Sequence, residues 1–284
     1  MQILLTLFFF ALGTVVGSFL NVVILRFNTG AGLDGRSRCF SCGKDIKWHD
    51  LAPVFSFIFL KGRCRHCKGK ISFQYPLVEM LTGLIFAATF WQFSSSVSLH
   101  TFSIFYFLFS INLLSLCLLL VIAVYDFRHK IIPDRLVFLF GFLSLVKLFL
   151  SAEFSTAARL PHLLDLLAGP ILALPLFLLW LASSGRWIGL GDAKLALGIG
   201  WFLGFSLGIS AVVLGFGVGA VVSLCLLALP ALSRAGFARP ALRGGLKNLT
   251  MRSEVPLAPF LILGLMAVYF FGIDVVGLGA LITM

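Results

Sequence analysis

Long stretches without a charged side chain constrain the fold of this protein more than any other feature of its sequence. Residues 1–25, 80–125, 166–185, 195–233 and 255–273 contain no Asp, Glu, Lys or Arg. A helix needs about 20 mostly apolar residues to cross a bilayer, so the second and fourth runs are each long enough for two helices. The pattern predicts an all-α integral membrane protein with about eight transmembrane helices, at 3–25, 74–93, 102–125, 134–151, 164–183, 193–208, 210–230 and 256–273.

The lysines and arginines predict how these helices are oriented. Twenty of the 22 fall within residues 26–70, 128–135, 186–194 and 234–252, and threading eight helices places these four clusters on one side of the membrane. The positive-inside rule assigns this side to the cytoplasm and both termini to the outside. This distribution accounts for the net charge of +11 without nucleic acid. We therefore expect contact with membrane lipid and no nucleic-acid partner.

The chain divides into three predicted parts. Residues 1–26 form the first transmembrane helix, which lacks the basic start and small-residue cleavage pattern of a signal peptide and is expected to be retained. Residues 27–73 are the one long polar segment, and residues 74–284 form a seven-helix membrane domain. We expect the polar segment to be a small cytoplasmic insertion after the first helix.

Four cysteines in the polar segment predict a metal site. They form two C-x-x-C pairs separated by 21 residues, at Cys39, Cys42, Cys64 and Cys67. Two such pairs are typical of a zinc ribbon, in which four thiolates enclose a structural Zn²⁺. Two disulfides are the alternative, which a reducing cytoplasm disfavours. Gly43 and Gly69 follow the pairs, where the turn of a zinc knuckle can require a positive φ.

Two aspartates at the ends of predicted helices indicate a catalytic site. Asp126 ends the third helix. Asp192 opens the sixth helix and directly follows Gly189-Leu190-Gly191. The third helix runs inward and the sixth outward, so both carboxylates are expected at the cytoplasmic end of their helices. Two close carboxylates share one proton; the ionised one can activate water while the neutral one polarises a peptide carbonyl. Gly189 and Gly191 would let the backbone approach this site closely.

Simpler roles are open for these acidic residues. Asp192 can cap the sixth helix, and Asp126 can pair with Arg128 or Lys130 at the membrane interface. Asp134 follows a proline and fits the start of a helix. Three residues remain candidates for binding the substrate or supporting the site: Glu79, Asp134 and Lys194.

Together these motifs resemble the prepilin peptidases, the type IV leader peptidases of bacteria. The resemblance covers nearly the whole chain. Besides the cysteine quartet it is carried by residues 17–22 (GSFLNV), 62–65 (GRCR), 75–79 (YPLVE), 126–134 (DFRHKIIPD), 189–194 (GLGDAK) and 255–260 (VPLAPF). Val255 stands where Ile is more usual in this family, and Leu257-Ala258 stand where Phe-Gly is more usual. The GxGD pattern alone does not distinguish this family, because presenilin-type proteases share it. The cysteine quartet together with residues 17–22 makes the match specific.

The resemblance implies catalysis by Asp126 and Asp192, in the bacterial inner membrane with both termini in the periplasm. The implied reaction is cleavage of prepilin or pseudopilin leaders at the cytoplasmic face, after Gly and usually before Phe. Many family members also methylate the new N-terminus with S-adenosylmethionine, which here rests on resemblance alone. A prepilin leader is basic, and the ten lysines and arginines at 26–70 would repel it. Glu79 and Asp134 are candidates to offset this repulsion.

Two other functions fit the membrane carboxylates. One is a presenilin-like protease that cuts inside transmembrane helices, against which the cysteine quartet argues. The other is a proton-coupled transporter, whose carboxylates usually lie near the middle of the membrane at a repeat interface. The edge position of both aspartates and the absence of an internal repeat favour the leader peptidase.

Overall fold

The computed structural model describes residues 1–29, 32, 35, 37–94, 102–154, 163–234 and 256–277. In these ranges the regular structure is helical, with two isolated β-bridges in the polar segment. The α-helices are α1 Gln2–Arg26, α2 Phe55–Phe59, α3 Gln74–Ser94, α4 Phe102–His129, α5 Asp134–Phe154, α6 Leu163–Ser183, α7 Leu190–Leu203, α8 Phe205–Arg234 and α9 Ala258–Phe271. A short 3-10 helix, Trp48–Leu51, precedes α2.

Every predicted span overlaps a helix of the structure, and the chain is a multi-pass membrane protein. Among the described residues, five helices are long and apolar enough to cross a bilayer: α1, α3, α4, α6 and α8. Helices α7 and α9 have 14 residues each, or about 21 Å at 1.5 Å per residue, against a hydrocarbon core of about 30 Å. Eight complete crossings therefore stay a prediction.

The chain forms two compact units, Met1–Val121 and Ile122–Met284. The division into residues 1–26, 27–73 and 74–284 stays a prediction. In the first unit α1 and α3 pack side by side and antiparallel. Gly17 lies so close to α3 that a Cβ there would sit 2.7 Å from the Cα of Glu79, and Asn21 donates a hydrogen bond to the Tyr75 carbonyl at 3.1 Å. The end of α1 and the start of α3 therefore lie together, with the polar insertion attached to both.

Helix α7 is the centre of the second unit, where it packs against α5, α6, α8 and α9. Its small residues allow this contact on several sides. A Cβ on Gly198 would lie 2.6 Å from the Phe140 ring, and one on Gly200 would lie 2.6 Å from the backbone of Ala168. Because α7 is covered by protein, its end at Gly204 does not expose backbone groups to lipid, and a helix of 14 residues is tolerated there.

Two buried or partly buried charged groups hold the junction between α7 and α8. Lys147, which interrupts the apolar run of α5, donates a hydrogen bond from Nζ to the carbonyl of Phe202 at 2.9 Å. The Phe205 N–H at the start of α8 donates to Asp165 Oδ1 at 3.1 Å. Between them Gly204 has a φ of +80°, a left-handed conformation that favours glycine. Unpaired backbone groups at helix ends are costly away from water, so these side chains fix where α7 ends.

The close approach of α6 and α7 can be tested by adding one methyl group. Gly200→Ala would place Cβ against the backbone of Ala168, which cannot move aside as a flexible side chain could. We expect this overpacking to lower the unfolding free energy by about 1–3 kcal/mol, seen as a lower melting temperature of the detergent-purified protein.

The matched control is Gly217→Ala in α8, where a Cβ would meet nothing within 4 Å. Alanine has the higher helix propensity, so this variant should melt at or slightly above the wild-type temperature. Equal melting temperatures for the two variants would contradict the packing described for α7.

Candidate active site

Asp126 lies near the end of a helix because the chain turns sharply just after it. Helix α4 ends at His129, and the following Lys130 has a φ of +53°. The Lys130 N–H donates to the Asp126 carbonyl at 2.7 Å, which closes the helix in the manner of a left-handed C-terminal cap. Asp126 therefore sits in the last turn of α4.

Asp192 lies at the opposite kind of helix end, in the first turn of α7. Gly189 is the N-cap residue, and its N–H donates to Asp192 Oδ2 at 3.3 Å. This is one half of a capping box, in which the acidic side chain three residues on satisfies the N-cap amide. The capping role considered for Asp192 is thus present, but it occupies only one of the two carboxylate oxygens.

A glycine contact brings these two helix ends together. Ile132, in the segment between α4 and α5, packs on Gly191 so closely that a Cβ on Gly191 would lie 2.8 Å from the Cβ of Ile132. As a result the carboxylates of Asp126 and Asp192 lie close enough for a direct charge–charge interaction. The second glycine, Gly189, has an ordinary backbone conformation, and a Cβ there would lie 3.3 Å from Asp192 Oδ2.

Both carboxylates are buried and each keeps one oxygen without a partner. Asp126 is 4% exposed and Asp192 7% exposed. The backbone N–H of Ala258, the first residue of α9, lies near the Asp126 carboxylate. Among the described residues, Asp126 Oδ2 and Asp192 Oδ1 have no hydrogen-bond partner. Buried polar atoms are normally paired, so two neighbouring orphan carboxylate oxygens are typical of a site that receives water or a substrate.

Ala258 is a site residue that the sequence did not indicate as such. Its segment entered only through the family resemblance of residues 255–260. The local signal was the proline at the first turn of α9, because proline there begins a helix and leaves neighbouring N–H groups free to bind a side chain. Which carboxylate lies near that N–H depends on tertiary packing.

Asp134 and Lys194 pair with each other. Lys194 Nζ in α7 donates to Asp134 Oδ1, at the first residue of α5, at 2.7 Å. Lys194 Nζ also lies 5.2 Å from the centroid of the Phe138 ring. The pair joins the first turns of α5 and α7 beside Asp192. Since the Asp134 side chain is 61% exposed, the pair contributes about 0–1 kcal/mol to stability.

Glu79 of α3 anchors the polar insertion to the membrane helices of the first unit. It is 7% exposed, accepts the Val54 N–H on Oε2 at 2.7 Å, and lies near the Ser18 hydroxyl in α1. Val54 has a φ of +60°, which is rare for a β-branched residue. The hydrogen bond to Glu79 helps to hold this unfavourable conformation, and it places the residue before α2 against the first turns of α3.

The four cysteines of the insertion form one cluster. Their sulfur atoms lie within 4.8 Å of one another, and those of Cys39 and Cys67 are 3.8 Å apart. All four are free thiols, and this distance is well beyond the roughly 2 Å of a disulfide. An ion with four sulfurs at about 2.3 Å in a tetrahedron separates them by about 3.8 Å. The cluster therefore fits a metal ion rather than disulfides.

The two knuckles have the same backbone pattern. Cys39 N–H donates to the Lys44 carbonyl at 3.0 Å, and Cys64 N–H donates to the Gly69 carbonyl at 2.9 Å. The left-handed residue is the fourth after the first cysteine of each pair: Gly43 with a φ of +68° and Lys68 with +59°. The expectation for Gly43 is confirmed and that for Gly69 is wrong.

Gly69 has a different role, and one thiol of the cluster is made more acidic by backbone N–H groups. A Cβ on Gly69 would lie 3.2 Å from the Cys67 sulfur, so glycine lets the chain pass close to the cluster. The backbone N–H groups of Cys42 and Ser41 lower the pKa of Cys39 to about 6. Cys39 is then largely a thiolate at neutral pH, the form that binds metals.

Comparison with known proteins gives two family matches. Residues 11–93 match the bacterial peptidase A24 N-terminal domain, and residues 113–224 match the type IV leader peptidase family. A prepilin leader peptidase/N-methyltransferase of Klebsiella pneumoniae is 32% identical over 206 residues, covering 70% of this chain and 85% of the relative. One of Bacillus subtilis is 28% identical over 272 residues, covering 94% of both chains.

A third relative matches over a shorter region. The prepilin leader peptidase/N-methyltransferase of Myxococcus xanthus is 40% identical over 131 residues, which is 46% of this chain and 36% of the relative. No solved structure matches the chain significantly.

The Glu79 anchor predicts a local change in amide exchange. Glu79→Ala removes the acceptor of the Val54 N–H, so hydrogen–deuterium exchange at Val54 and the start of α2 should become faster. Glu79→Gln keeps an acceptor oxygen and should exchange nearly as the wild type does. Unchanged exchange at Val54 in Glu79→Ala would show that the contact does not hold the insertion.

Proposed function

Because this chain belongs to the type IV leader peptidase family, we propose that it removes the leader peptides of prepilins or pseudopilins with Asp126 and Asp192 as its catalytic pair. The observation that carries the proposal is the pair of neighbouring buried carboxylates, each with one unpartnered oxygen. Membership in this family also makes the protein an enzyme, and it favours leader cleavage over a presenilin-like protease or a transporter.

The proposed chemistry uses one proton shared by the two carboxylates. The ionised aspartate takes a proton from a water molecule, whose oxygen attacks the carbonyl carbon of the scissile peptide. The protonated aspartate donates a hydrogen bond to the carbonyl oxygen and so stabilises the charge that develops there. When the C–N bond breaks, the leaving amine receives a proton and the pair returns to its one-proton state. The free oxygens of Asp126 and Asp192 are the atoms available for these contacts.

The proposed location follows the charge distribution. We place the enzyme in the bacterial inner membrane, with both termini in the periplasm and the aspartate pair facing the cytoplasm, because 20 of its 22 lysines and arginines then lie inside. A basic leader followed by an apolar helix has its scissile bond at that same interface. This arrangement suits aspartates at the ends of helices rather than at their middles.

A second activity and a metal belong to the proposal. The relatives are named as N-methyltransferases as well as leader peptidases, so we propose N-methylation of the new terminus with S-adenosylmethionine as the methyl donor. We propose that the four-cysteine cluster holds Zn²⁺. A four-thiolate shell leaves no open position, so the ion would stabilise the insertion and take no part in peptide hydrolysis.

The catalytic pair predicts the effect of single neutral substitutions. Asp126→Asn and Asp192→Asn should each slow leader removal by roughly 10²- to 10⁴-fold, since each removes one partner of the proton-sharing pair. The measurement is cleavage of a purified prepilin by the detergent-solubilised enzyme, followed by mass spectrometry.

Asp134→Asn is the matched control, because it removes a carboxylate that lies beside the site in an exposed ion pair. It should cleave at nearly the wild-type rate. If Asp126→Asn or Asp192→Asn also retained near-normal cleavage while melting like the wild type, the pair would not be catalytic.

The zinc site predicts the metal content of the protein. Protein purified under reducing conditions should contain about one equivalent of Zn²⁺, which Cys39→Ser combined with Cys67→Ser should abolish. Cys225→Ser removes an exposed thiol in α8 and should leave the metal content unchanged. Metal-free wild-type protein, or a disulfide between any two of the four cysteines, would refute the assignment.

A further inference from the structure

A basic cleft lies on the polar insertion, where α2 meets the second cysteine knuckle. Its volume is about 610 Å³, and it is open on one side. The lining residues include four basic ones and none that is acidic: Phe59, Leu60, Lys61, Arg63, Arg65 and Lys68. Such a concentration of positive charge without acidic neighbours in its lining is suited to an anion.

Three of the four cations in the cleft are available to a ligand. Arg65 is engaged, because its guanidinium makes hydrogen bonds of 2.6–3.1 Å to both carboxylate oxygens of Asp50. Lys61, Arg63 and Lys68 are exposed, and none of them forms an ion pair within the part of the chain that the structure describes. Arginine and lysine together are the usual partners of a phosphate group.

Next to these cations α2 presents an apolar surface. Phe55, Ile58 and Phe59 are 66%, 63% and 82% exposed, although all three are large hydrophobic residues. Phe57 points the other way, since its ring lies 6.2 Å from that of Phe73 and packs on Gly62. One side of this short helix therefore holds it on the insertion, and the other side is left open beside the basic cleft.

The position of α2 relative to the membrane helices determines the surroundings of its exposed apolar side chains. Because α1 and α3 are antiparallel apolar helices, the insertion is tied at both ends to the same end of this pair. In addition, the Val54 N–H bonds to Glu79, six residues into α3, so α2 begins level with the first turns of a membrane-crossing helix. The end of a membrane-crossing helix lies near the lipid headgroups, which is therefore the depth expected for α2.

We propose that the cleft formed by Lys61, Arg63 and Lys68 binds the phosphate of an anionic phospholipid, with Phe55, Ile58 and Phe59 dipping between the lipid chains. The lipid headgroups of a cytoplasmic leaflet are rich in negative charge. An acidic protein segment would match the cations, but it would leave the three apolar side chains uncovered. Bound lipid would also reduce the repulsion between this positive insertion and a basic leader peptide.

The test is lipid binding by the full-length protein, delipidated in a neutral detergent. Phosphatidylglycerol and phosphatidylcholine are titrated separately, and bound lipid is counted by native mass spectrometry. The wild type should bind phosphatidylglycerol in preference to phosphatidylcholine. Lys61→Gln combined with Lys68→Gln should weaken phosphatidylglycerol binding by roughly tenfold or more, because each lysine near an anionic headgroup contributes to affinity.

The charge-matched control is Lys44→Gln combined with Lys47→Gln, which removes two exposed lysines of the same insertion that do not line the cleft. It should bind lipid like the wild type. Arg63→Gln alone serves as a second variant if the double cleft variant does not fold, and it should also show weaker binding. Melting temperature and zinc content confirm that each variant is intact.

Three outcomes would overturn the proposal. Equal losses in the two double variants would mean that overall charge, not the cleft, attracts the lipid. Equal binding of phosphatidylglycerol and phosphatidylcholine would show that the negative charge of the lipid does not contribute to binding. Displacement of phosphatidylglycerol by inorganic phosphate or by an acidic peptide alone would identify a soluble anion or a protein segment as the ligand. Leader cleavage enters none of these readouts, so the result is independent of the aspartate pair.

Discussion

The packing of α7 is the interaction on which the candidate active site depends. Glycines allow α7 to approach α5, α6 and the segment after α4 closely enough that a Cβ at Gly191 or Gly200 would collide with a neighbour. The contact with Ile132 brings the last turn of α4 to the first turn of α7, and with them Asp126 and Asp192. Lys147 and Asp165 then fix the other end of α7 by satisfying backbone groups at its junction with α8.

Burial of carboxylates at a membrane edge requires compensation, and here backbone amides supply it. Asp192 accepts the N–H of Gly189 at the start of α7, and the N–H of Ala258 at the start of α9 lies near Asp126. Such N–H groups have no partner inside their own helices, so the site uses donors that would otherwise be unsatisfied. One oxygen of each aspartate has no hydrogen-bond partner among the described residues, and these are the atoms that the proposed chemistry would use.

The sequence predicted most of what depends on local pattern and little of what depends on long-range contact. Hydropathy gave the helices, the charge distribution predicted that Asp126 and Asp192 lie at one level, and cysteine spacing gave the four-cysteine cluster. The donor from Ala258 and the anchor between Glu79 and Val54 join segments far apart in sequence, so no local pattern contains them. The error at Gly69 has a related cause, because the turn placed its left-handed residue one position earlier, at a lysine.

The charge of the insertion raises a problem that the site alone does not solve. The chain carries ten lysines and arginines between residues 26 and 70, which would repel the basic leader of the proposed substrate. Glu79 and Asp134 are both engaged by other groups, since Glu79 accepts the Val54 N–H while Asp134 pairs with Lys194. Charges separated by more than a Debye length of about 8 Å are screened, so what matters is neutralisation close to each cation. A phosphate held among Lys61, Arg63 and Lys68 supplies negative charge at that range, and it would turn a repulsive surface into one that a cationic peptide can approach along the membrane.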